Sequence, residues 1–320
     1  MKTMLIDAMN IFVRSYVVNP TMSEHGHQFG GSLGFLKSLG SYSRRFNPDR
    51  IIVIWEGGGS PRRRALLPEY KANRKPVRLN RSEIYEDIPD TKENFNYQVA
   101  ATTKLLNYTS AQQLYVADCE ADDVIGYLAK NFLEGDVLIA SSDKDFYQLL
   151  SDKVTMYSPT RKKIIKVEDV LEEHQIHPIN FATARCFVGD NSDNISGIRG
   201  VGLKTLAKKF PNLRNAEFVS CNDIINKCQM IPEAKRLKMH RSIIGNAELI
   251  KRNWKLMYLD ISNLSGDQVL KIKSKAQYKS NKRDKLGMIR QLIEEGINMP
   301  KSFDPHKFFL DTTTAQVMEK

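Results

Sequence analysis

Three carboxylates stand within four residues in the segment Glu120-Ala121-Asp122-Asp123. Glu120 and Asp123 are three positions apart, so on a helix they share a face. Packed negative charges repel one another, and the next basic residue along the chain is Lys130. A divalent cation is therefore the first candidate for the balancing charge, although acids in a first helical turn also favour the positive end of the helix dipole.

Further acids follow short apolar runs that read as buried strands. Asp7 and Glu56 each end one such run, and Asp143 and Asp145 end another. The carboxyl ends of parallel strands converge at one edge of an α/β sheet, where such folds place their active sites. The candidate metal ligands are Asp7, Glu56, Glu120, Asp122, Asp123, Asp143, Asp145, Asp190 and Asp193.

An all-oxygen set of this kind suits Mg²⁺ or Mn²⁺, and its size points to two ions. Two such ions about 4 Å apart activate water and stabilise the leaving oxygen of a phosphodiester. Lys71, Arg74 and Arg63 are the basic residues expected to hold the phosphate and neutralise developing charge. The pattern therefore predicts hydrolysis of phosphodiester bonds.

The overall charge of the chain supports a polyanionic partner. The 320 residues carry a formal net charge of +11, and the pI is about 9.3. Nucleic acid is the first expectation, and an anionic membrane the second. No basic amphipathic helix with an aromatic face favours the membrane, and no apolar run approaches the ~20 residues of a membrane span.

The sulfur and imidazole residues argue against zinc. The four cysteines lack paired metal spacing and the six histidines are scattered. The amino terminus does not resemble a signal peptide, because Asp7 interrupts its apolar run. We expect a reducing, cytoplasmic setting.

Strands alternating with helices predict a parallel α/β sheet with right-handed crossovers up to a boundary near residue 175. The runs 155–157 and 163–166 predict a small hairpin or edge, and the chain beyond is mostly helical. The polar stretch from Glu69 to about Phe95 reads as a functional insertion or a disordered loop.

A glycine-rich turn opens one of these later helices. Gly197, Gly200 and Gly202 precede a helix that bears Lys204 and Lys208, and bare amides at a helix start bind phosphate. The lysine-rich stretch 271–285 is either a solvated face or an extended phosphate contact. The aromatic tail after residue 300 either packs back on the fold or binds a partner.

Several ordered motifs resemble the 5′-nuclease superfamily, which includes flap endonucleases, the 5′-nuclease domain of bacterial DNA polymerase I and phage 5′-exonuclease/RNase H enzymes. The motifs are Asp7, Glu120-x-Asp122-Asp123, Asp143-Lys144-Asp145, Gly189-Asp190-x-x-Asp193-Asn194 and the turn 197–205. The resemblance implies a PIN-like α/β core, a helical arch at about 70–95 and a helix-three-turn-helix element that grips duplex DNA, often with bound K⁺.

The resemblance also implies roles for individual residues. Tyr70-Lys71-x-x-Arg74 matches the motif at the base of the arch, where Lys and Arg contact the scissile phosphate, and catalysis falls to Lys71, Arg74, Asp143 and Asp145. Glu56 departs from the family, which usually has Asp there. The residues expected to bind nucleic acid are Arg63, Tyr70, Lys71, Arg74, Gly200, Gly202, Lys204, Thr205 and Lys208.

The domain prediction is a PIN-like nuclease core over 1–175, a helix-three-turn-helix and helical domain over 176–300, and a tail over 301–320. No polymerase sequence follows, so we expect a free-standing, monomeric enzyme of the compact phage type, acting in the host cytoplasm if phage-encoded.

The leading hypothesis is a metal-dependent 5′→3′ exonuclease and flap endonuclease. Its substrates are DNA with 5′ flaps, nicks or free 5′ ends, with RNA primers in RNA–DNA hybrids as a further substrate. A single-strand-binding protein, clamp or polymerase is the expected partner. Two alternatives remain: a non-catalytic branched-DNA-binding protein on the same fold, and a PIN-type RNase that cuts single-stranded RNA.

Overall fold

The computed structural model describes residues 1–74, 77, 92–277 and 283–313. Six of its strands form one sheet in the order β3-β2-β1-β4-β5-β6, parallel except for β6. The strands are β1 (Lys2–Asp7), β2 (Arg50–Trp55), β3 (Gln112–Tyr115), β4 (Asp136–Ala140), β5 (Val154–Ser158) and β6 (Lys163–Ile165). The predicted α/β class, with an antiparallel hairpin at one edge, is confirmed.

Fourteen α-helices occur in the described residues, most of them after the sheet. They are α1 (Ala8–Val18), α2 (Gly30–Phe46), α3 (Pro61–Leu66), α4 (Lys92–Leu106), α5 (Ala121–Tyr127), α6 (Val167–His174), α7 (Phe181–Val188), α8 (Leu203–Lys209), α9 (Cys221–Met230), α10 (Lys238–Gly245), α11 (Ala247–Met257), α12 (Gly266–Gln277), α13 (Lys285–Glu294) and α14 (Pro305–Thr313). Most of the predicted arch (75–76 and 78–91), as well as Lys279 and Lys282, lies outside the described residues.

Both faces of the sheet are covered, which explains why its strands are continuously apolar. Alternate residues point to opposite faces: Leu5 and Ile52 join the core under α5 and α7, whereas Ile6 and Val53 join the core under α1 and α2. All four side chains are essentially inaccessible to solvent. The carboxyl edge of a sheet enclosed in this way is where the strand-end acids emerge.

The last described segment packs on the helices that cover the sheet. α14 lies against α2, and the ring of Phe308 would stand 3.3 Å from a methyl group added at Gly40. Phe303 and Phe308 are each 3% exposed. Of the two predictions for the chain after residue 300, packing back on the fold is confirmed for residues 301–313. No helix in the ranges described combines the length and apolar character needed to cross a bilayer.

Arg63 is buried, in contrast to its predicted place on the nucleic-acid surface. Its Nη1 and Nη2 donate to the two carboxylate oxygens of Asp123 at 2.5 and 2.7 Å, and its Nε donates to the Leu256 carbonyl at 2.8 Å. Both partners of the ion pair are 2% exposed. Arg63 therefore ties α3 to α5 and α11, and does not reach a phosphate at the surface.

The same pair holds the carboxylate of Asp123 in place. Its two oxygens accept the Arg63 fork, and Oδ1 also accepts from Asn263 Nδ2 at 3.0 Å. These donors make Asp123 a structural anchor for the start of α5, and its role as a metal ligand stays a prediction.

Removing one partner of this pair should destabilise the fold strongly, because the other charge would remain buried alone. We expect Arg63→Met to lower the free energy of unfolding by about 3–5 kcal/mol, measured by chemical denaturation. The double variant Arg63→Met, Asp123→Leu should recover much of that loss, since neither charge remains.

The matched control is Arg64→Met, one residue along on the same helix, where the side chain is exposed. This change should alter stability by roughly 0.5 kcal/mol or less. Equal stability loss at the two arginines would show that the Arg63–Asp123 pair does not anchor α3.

Candidate active site

Three central strands deliver acids to one edge of the sheet. Asp7 ends β1, Glu56 follows β2 directly, and Asp143 follows β4 after two serines. Since β1 lies between β2 and β4, the three carboxylates converge at the carboxyl edge. Ser141 Oγ donates to Asp7 Oδ2 at 2.7 Å, which fixes the Asp7 carboxylate at the end of its strand.

Glu120 stands at the start of α5 and is held by donors from the base of the predicted arch. It accepts from the Tyr70 hydroxyl at 2.9 Å and from Lys71 Nζ at 2.8 Å, and Arg63 Nη1 lies 3.3 Å away. Burial and the nearby charges of Glu120 and Asp193 raise the pKa of Tyr70, so its hydroxyl stays a hydrogen-bond donor. Glu120 therefore positions Tyr70 and Lys71 as firmly as they position it.

Lys71 and Arg74 bridge this side to the loop after α7. Arg74 Nη2 lies 2.6 Å from Asp193 Oδ1, and Lys71 Nζ lies 3.9 Å from Asp193 Oδ2. The Lys71 backbone adopts a φ of +59°, and its amide donates to the Asp193 carbonyl at 2.9 Å. A left-handed conformation at a non-glycine residue is unusual and marks a position held by its surroundings.

Lys71 remains a cation in this setting. Burial lowers its pKa, but the charges of Glu120, Asp122 and Asp193 raise it by more, so the net pKa is above the usual lysine value. Its side chain is still 20% exposed. A partly accessible ammonium group therefore points across the acid cluster.

The remaining acids have far less positive charge beside them. Burial and the charges of Asp143 and Glu56 raise the pKa of Asp7 to about 6, although its hydrogen bonds to Ser141 and Asn10 oppose the rise. Burial, Asp143 and Asp7 raise the pKa of Asp122 well above its usual range. This half of the cluster therefore has an excess of acid groups over cations, and burial and mutual repulsion disfavour their ionised forms.

Asp143, Asp145 and Glu56 share that excess. Burial raises the pKa of Asp143, and burial together with Asp143 raises the pKa of Asp145 to about 7. Burial and the charge of Glu120 raise the pKa of Glu56, whose Oε2 accepts only a long 3.4 Å bond from the Ala121 amide. Each of these groups would be stabilised as an anion by an added cation.

One residue of the acid cluster's surroundings, Arg185, belongs to none of the motifs found in the sequence. Arg185 is the single charged residue of the otherwise apolar helix α7, and its Nη2 contacts Asp190 and lies 3.4 Å from Asp145. Burial raises the pKa of Asp190, but Ser192 and Arg185 lower it further, so the net pKa is depressed. A lone arginine within an apolar helix, five residues before an acid, is the signal that could have identified it.

The nine predicted metal ligands therefore separate into two groups. Four form close ion pairs with lysine or arginine side chains: Glu120, Asp123, Asp190 and Asp193. The other five have raised pKa values and less positive charge beside them: Asp7, Glu56, Asp122, Asp143 and Asp145. Within the described ranges, no three acidic, histidine or cysteine side chains are arranged as a ready chelating group. Which of the nine candidate acids would bind each of the two expected ions stays a prediction.

The glycine-rich turn after α7 is shaped by close backbone contacts. A Cβ at Gly197 would lie 1.8 Å from the Val188 carbonyl oxygen, and Gly200 has a φ of +80°, so both positions require glycine. Asn253 Nδ2 donates to the carbonyls of Cys186 and Ser196, both at 2.9 Å. This fully buried asparagine, also missed by sequence reasoning, fixes the turn to α11.

The turn leads into an exposed basic surface beside the acids. Gly202 precedes α8, on which Lys204, Thr205 and Lys208 are exposed. A cleft of about 420 Å³ extends from Asp143 and Asp190 to Leu203, the first residue of α8. The structure thus brings the predicted basic helix next to the acid cluster.

Comparisons with known proteins agree with this arrangement. Residues 2–175 match the family model described as the 5′-3′ exonuclease, N-terminal resolvase-like domain. The chain is 30% identical over 218 residues to a 5′-3′ exonuclease of Buchnera aphidicola. The aligned region covers 66% of this chain and 71% of the relative. It is 28% identical over 254 residues to that of Bacillus subtilis, covering 76% and 79%.

Solved structures show the same fold. The D15 protein of bacteriophage T5, co-crystallised with metal ions, superposes with a TM-score of 0.65 at 25% identity and covers 87% of this chain and 99% of its own. A D15 flap endonuclease complex with DNA and metal ions gives 0.67 at 23% identity, with 87% and 98% covered. This chain belongs to the 5′-3′ exonuclease family of nucleases, within the 5′-nuclease superfamily that includes flap endonucleases.

Proposed function

We propose that this chain is a divalent-metal-dependent 5′→3′ exonuclease and flap endonuclease that hydrolyses phosphodiesters near the 5′ ends of DNA. The observation that carries the proposal is the set of under-compensated carboxylates at the edge of the sheet, facing Lys71 and Arg74. Excess negative charge calls for a bound cation, and the two basic side chains suit the phosphate of a substrate.

The donor chemistry fits Mg²⁺ or Mn²⁺. Asp7, Glu56, Asp122, Asp143 and Asp145 offer only carboxylate oxygens, which are the ligands these ions prefer. Burial and mutual repulsion raise the pKa of all five, which bound positive charge would reverse. When bound, a pair of such ions supplies an activated water and stabilises the leaving oxygen.

The basic residues have a separate task. Lys71 Nζ and the Arg74 guanidinium are held by Glu120 and Asp193, and both can transfer to the non-bridging oxygens of a phosphate. Preorganised cations at this position offset the charge that develops during hydrolysis. The Tyr70 hydroxyl keeps Glu120 oriented while Lys71 changes partner.

DNA binding is assigned to the turn and α8. Gly200 and Gly202 leave open space above the backbone, and Lys204, Thr205 and Lys208 are exposed beside it. The DNA and metal ions of the T5 relative's complex support the same substrate class here. K⁺ at the turn, RNA strands in hybrids and a replication partner stay predictions, as do the monomeric state, the cytoplasmic location and the domain division.

Loss of the under-compensated acids should abolish cleavage without preventing DNA binding. We expect Asp143→Asn and Asp145→Asn each to slow Mg²⁺-dependent cleavage of a labelled 5′-flap duplex by about 10- to 100-fold or more. Asp152→Asn is the matched control, because Asp152 is exposed before the amino end of β5, at the opposite edge of the sheet.

Unchanged cleavage by the double variant Asp143→Asn, Asp145→Asn would refute the proposed active site. Retained binding of branched DNA, with no cleavage by the wild type, would favour the non-catalytic alternative. Faster cutting of single-stranded RNA than of flapped DNA would favour the RNase alternative.

Because the pKa of Asp145 is raised in the folded chain, the amount by which this acid destabilises the fold depends on pH. Between its ordinary value of 3.8 and about 7, the folded chain holds a proton that the unfolded chain has released. The free energy of unfolding of the metal-free wild type therefore falls as the pH rises through that interval, because the folded chain must ionise a buried acid. The Asp145→Asn variant has no such acid, so its free energy of unfolding lacks this decrease. In chelator, we expect the Tm of Asp145→Asn minus that of the wild type to be larger near pH 8 than near pH 5.

Added Mg²⁺ near pH 8 should narrow that difference, because it stabilises the wild type alone. Asp152→Asn, measured in parallel, controls for the removal of any acid. A Tm difference that does not change with pH would mean that Asp145 titrates as an ordinary exposed acid.

Exposed lysines on α8 should contribute to affinity through counterion release. We expect Lys204→Gln and Lys208→Gln each to reduce the slope of log affinity against log salt by about 1, measured by anisotropy with a flapped duplex in chelator. Lys153→Gln, exposed before the amino end of β5, should leave the slope unchanged. Equal slopes for all three variants would exclude α8 from the interface.

A further inference from the structure

A second cleft, separate from the acid cluster, lies where α3 meets α11. It has a volume of about 460 Å³, which is in the range of small-ligand sites. Leu66 from the end of α3 lines one side, Phe218 comes from the segment before α9, and Trp254 and Arg252 come from α11. None of these residues belongs to the active site described above.

The cleft displays aromatic surface. Phe218 is 49% exposed, and its ring centroid lies 5.9 Å from that of Trp254 at an interplanar angle of 53°. Tyr258 stacks on Trp254 at 4.1 Å and 17°, so the indole is supported from behind. The exposed phenyl ring, held beside this indole, therefore offers a surface on which a planar group can stack.

The cleft also contains an arginine whose hydrogen-bonding capacity is largely unused. Arg252 Nε is buried and has no hydrogen-bond partner in the described part of the chain. Its Nη2 makes a single long bond of 3.3 Å to Asn253 Oδ1. Because Nε is enclosed, an acceptor that enters the cleft, best of all an anion, would pair with the Nη groups of this charged side chain.

The charge around the cleft matches an anionic ligand. Its lining carries three cations, Lys251, Arg252 and Lys255, against the single acid Glu248. Lys251 is paired with Glu248 at 2.8 Å, which leaves Arg252 and Lys255 as the excess positive charge. Aromatic stacking surface combined with excess positive charge is the composition of sites for single-stranded nucleic acid.

The cleft shares a wall with the active site. Arg62 Nη1 donates to the Lys255 carbonyl at 3.0 Å, and Arg63 Nε donates to the Leu256 carbonyl at 2.8 Å, so α3 and α11 are fixed together. Leu66 is five residues from Lys71, a path of at most about 18 Å even if fully extended. A strand engaged at Lys71 can therefore reach the cleft within a few nucleotides.

We propose that this cleft binds one nucleotide of a single-stranded nucleic-acid segment within a few nucleotides of the scissile phosphate. The base stacks on Phe218 with its edge beside Trp254, and the phosphate accepts hydrogen bonds from Arg252, with Lys255 adding charge. Single strands fit because the bases of a duplex are already stacked on one another and cannot enter. The inference rests on the proposed function, since it presumes a nucleic-acid strand at Lys71.

The intrinsic fluorescence of the full chain tests the proposal. The chain has two tryptophans, and Trp55 is 6% exposed within β2, so a stacked base acts mainly on Trp254. With a short oligo(dT) single strand in chelator, we expect quenching of tryptophan emission. Phe218→Ala should weaken the affinity read from this quenching about fivefold or more.

Two further variants make the result specific. Tyr115→Ala removes another aromatic side chain that is also 49% exposed, on β3, and should leave the affinity unchanged. Arg252→Lys keeps the charge but removes the Nη donors, and should weaken binding, since it loses the guanidinium fork. Equal thermal stability of the Phe218→Ala variant and the wild type excludes unfolding as the cause.

The outcomes separate this inference from the proposed function. Emission that does not respond to oligo(dT), or equal affinities for Phe218→Ala and Tyr115→Ala, overturns the nucleotide site, and the cleft would then suit a peptide or another ligand. This result leaves the nuclease proposal intact if the wild type cleaves the flapped duplex with Mg²⁺. Quenching without such cleavage supports the nucleotide site and overturns the nuclease proposal.

Discussion

Electrostatic repulsion among buried carboxylates is the constraint on which this structure depends. A parallel sheet places the ends of β1, β2 and β4 side by side, so Asp7, Glu56 and Asp143 meet whether or not their charges favour it. The protein balances part of the charge with Lys71, Arg74 and Arg185 and leaves the rest in excess. The repulsion among these acids lowers the stability of the fold, and it is also the reason why the proposed site would attract cations.

The three arginines at 62–64 show what the sequence could and could not reveal. Continuous apolar runs ending in acids were sufficient to predict a parallel α/β sheet, because strands covered on both faces are apolar along their whole length. The order of the strands was not predicted, since it depends on which crossovers the helices make. Which of three consecutive arginines would be buried depended on the packing of α3 against α11, and no local pattern encodes that contact. Arg185 and Asn253 were missed for the same reason, since their partners are fixed by tertiary structure.

Helix α11 connects the features that the sequence presented as separate. Its Asn253 fixes the glycine-rich turn, its Leu256 carbonyl accepts from Arg63, and its Trp254 forms part of the second cleft. A shift of this helix would therefore move the turn and the base of the predicted arch together. Rigid coupling of this kind keeps the turn and α8, the proposed DNA-binding surface, at a constant distance from the acids.

Glu56 is one methylene longer than the Asp that the resemblance to the 5′-nuclease superfamily implies at this position, and the backbone after it has no room to shift. A Cβ at Gly57 would lie 1.8 Å from the Val116 carbonyl oxygen, and the Gly57 carbonyl accepts from the Asp118 amide at 2.9 Å. The chain after β2 is therefore pinned against the loop that leads to α5. The extra methylene must be absorbed by side-chain rotation, and the bond that Glu56 accepts from the Ala121 amide is long enough, at 3.4 Å, to allow it. Its carboxylate can thus adjust to a bound ion while Asp7, held by Ser141, keeps its place.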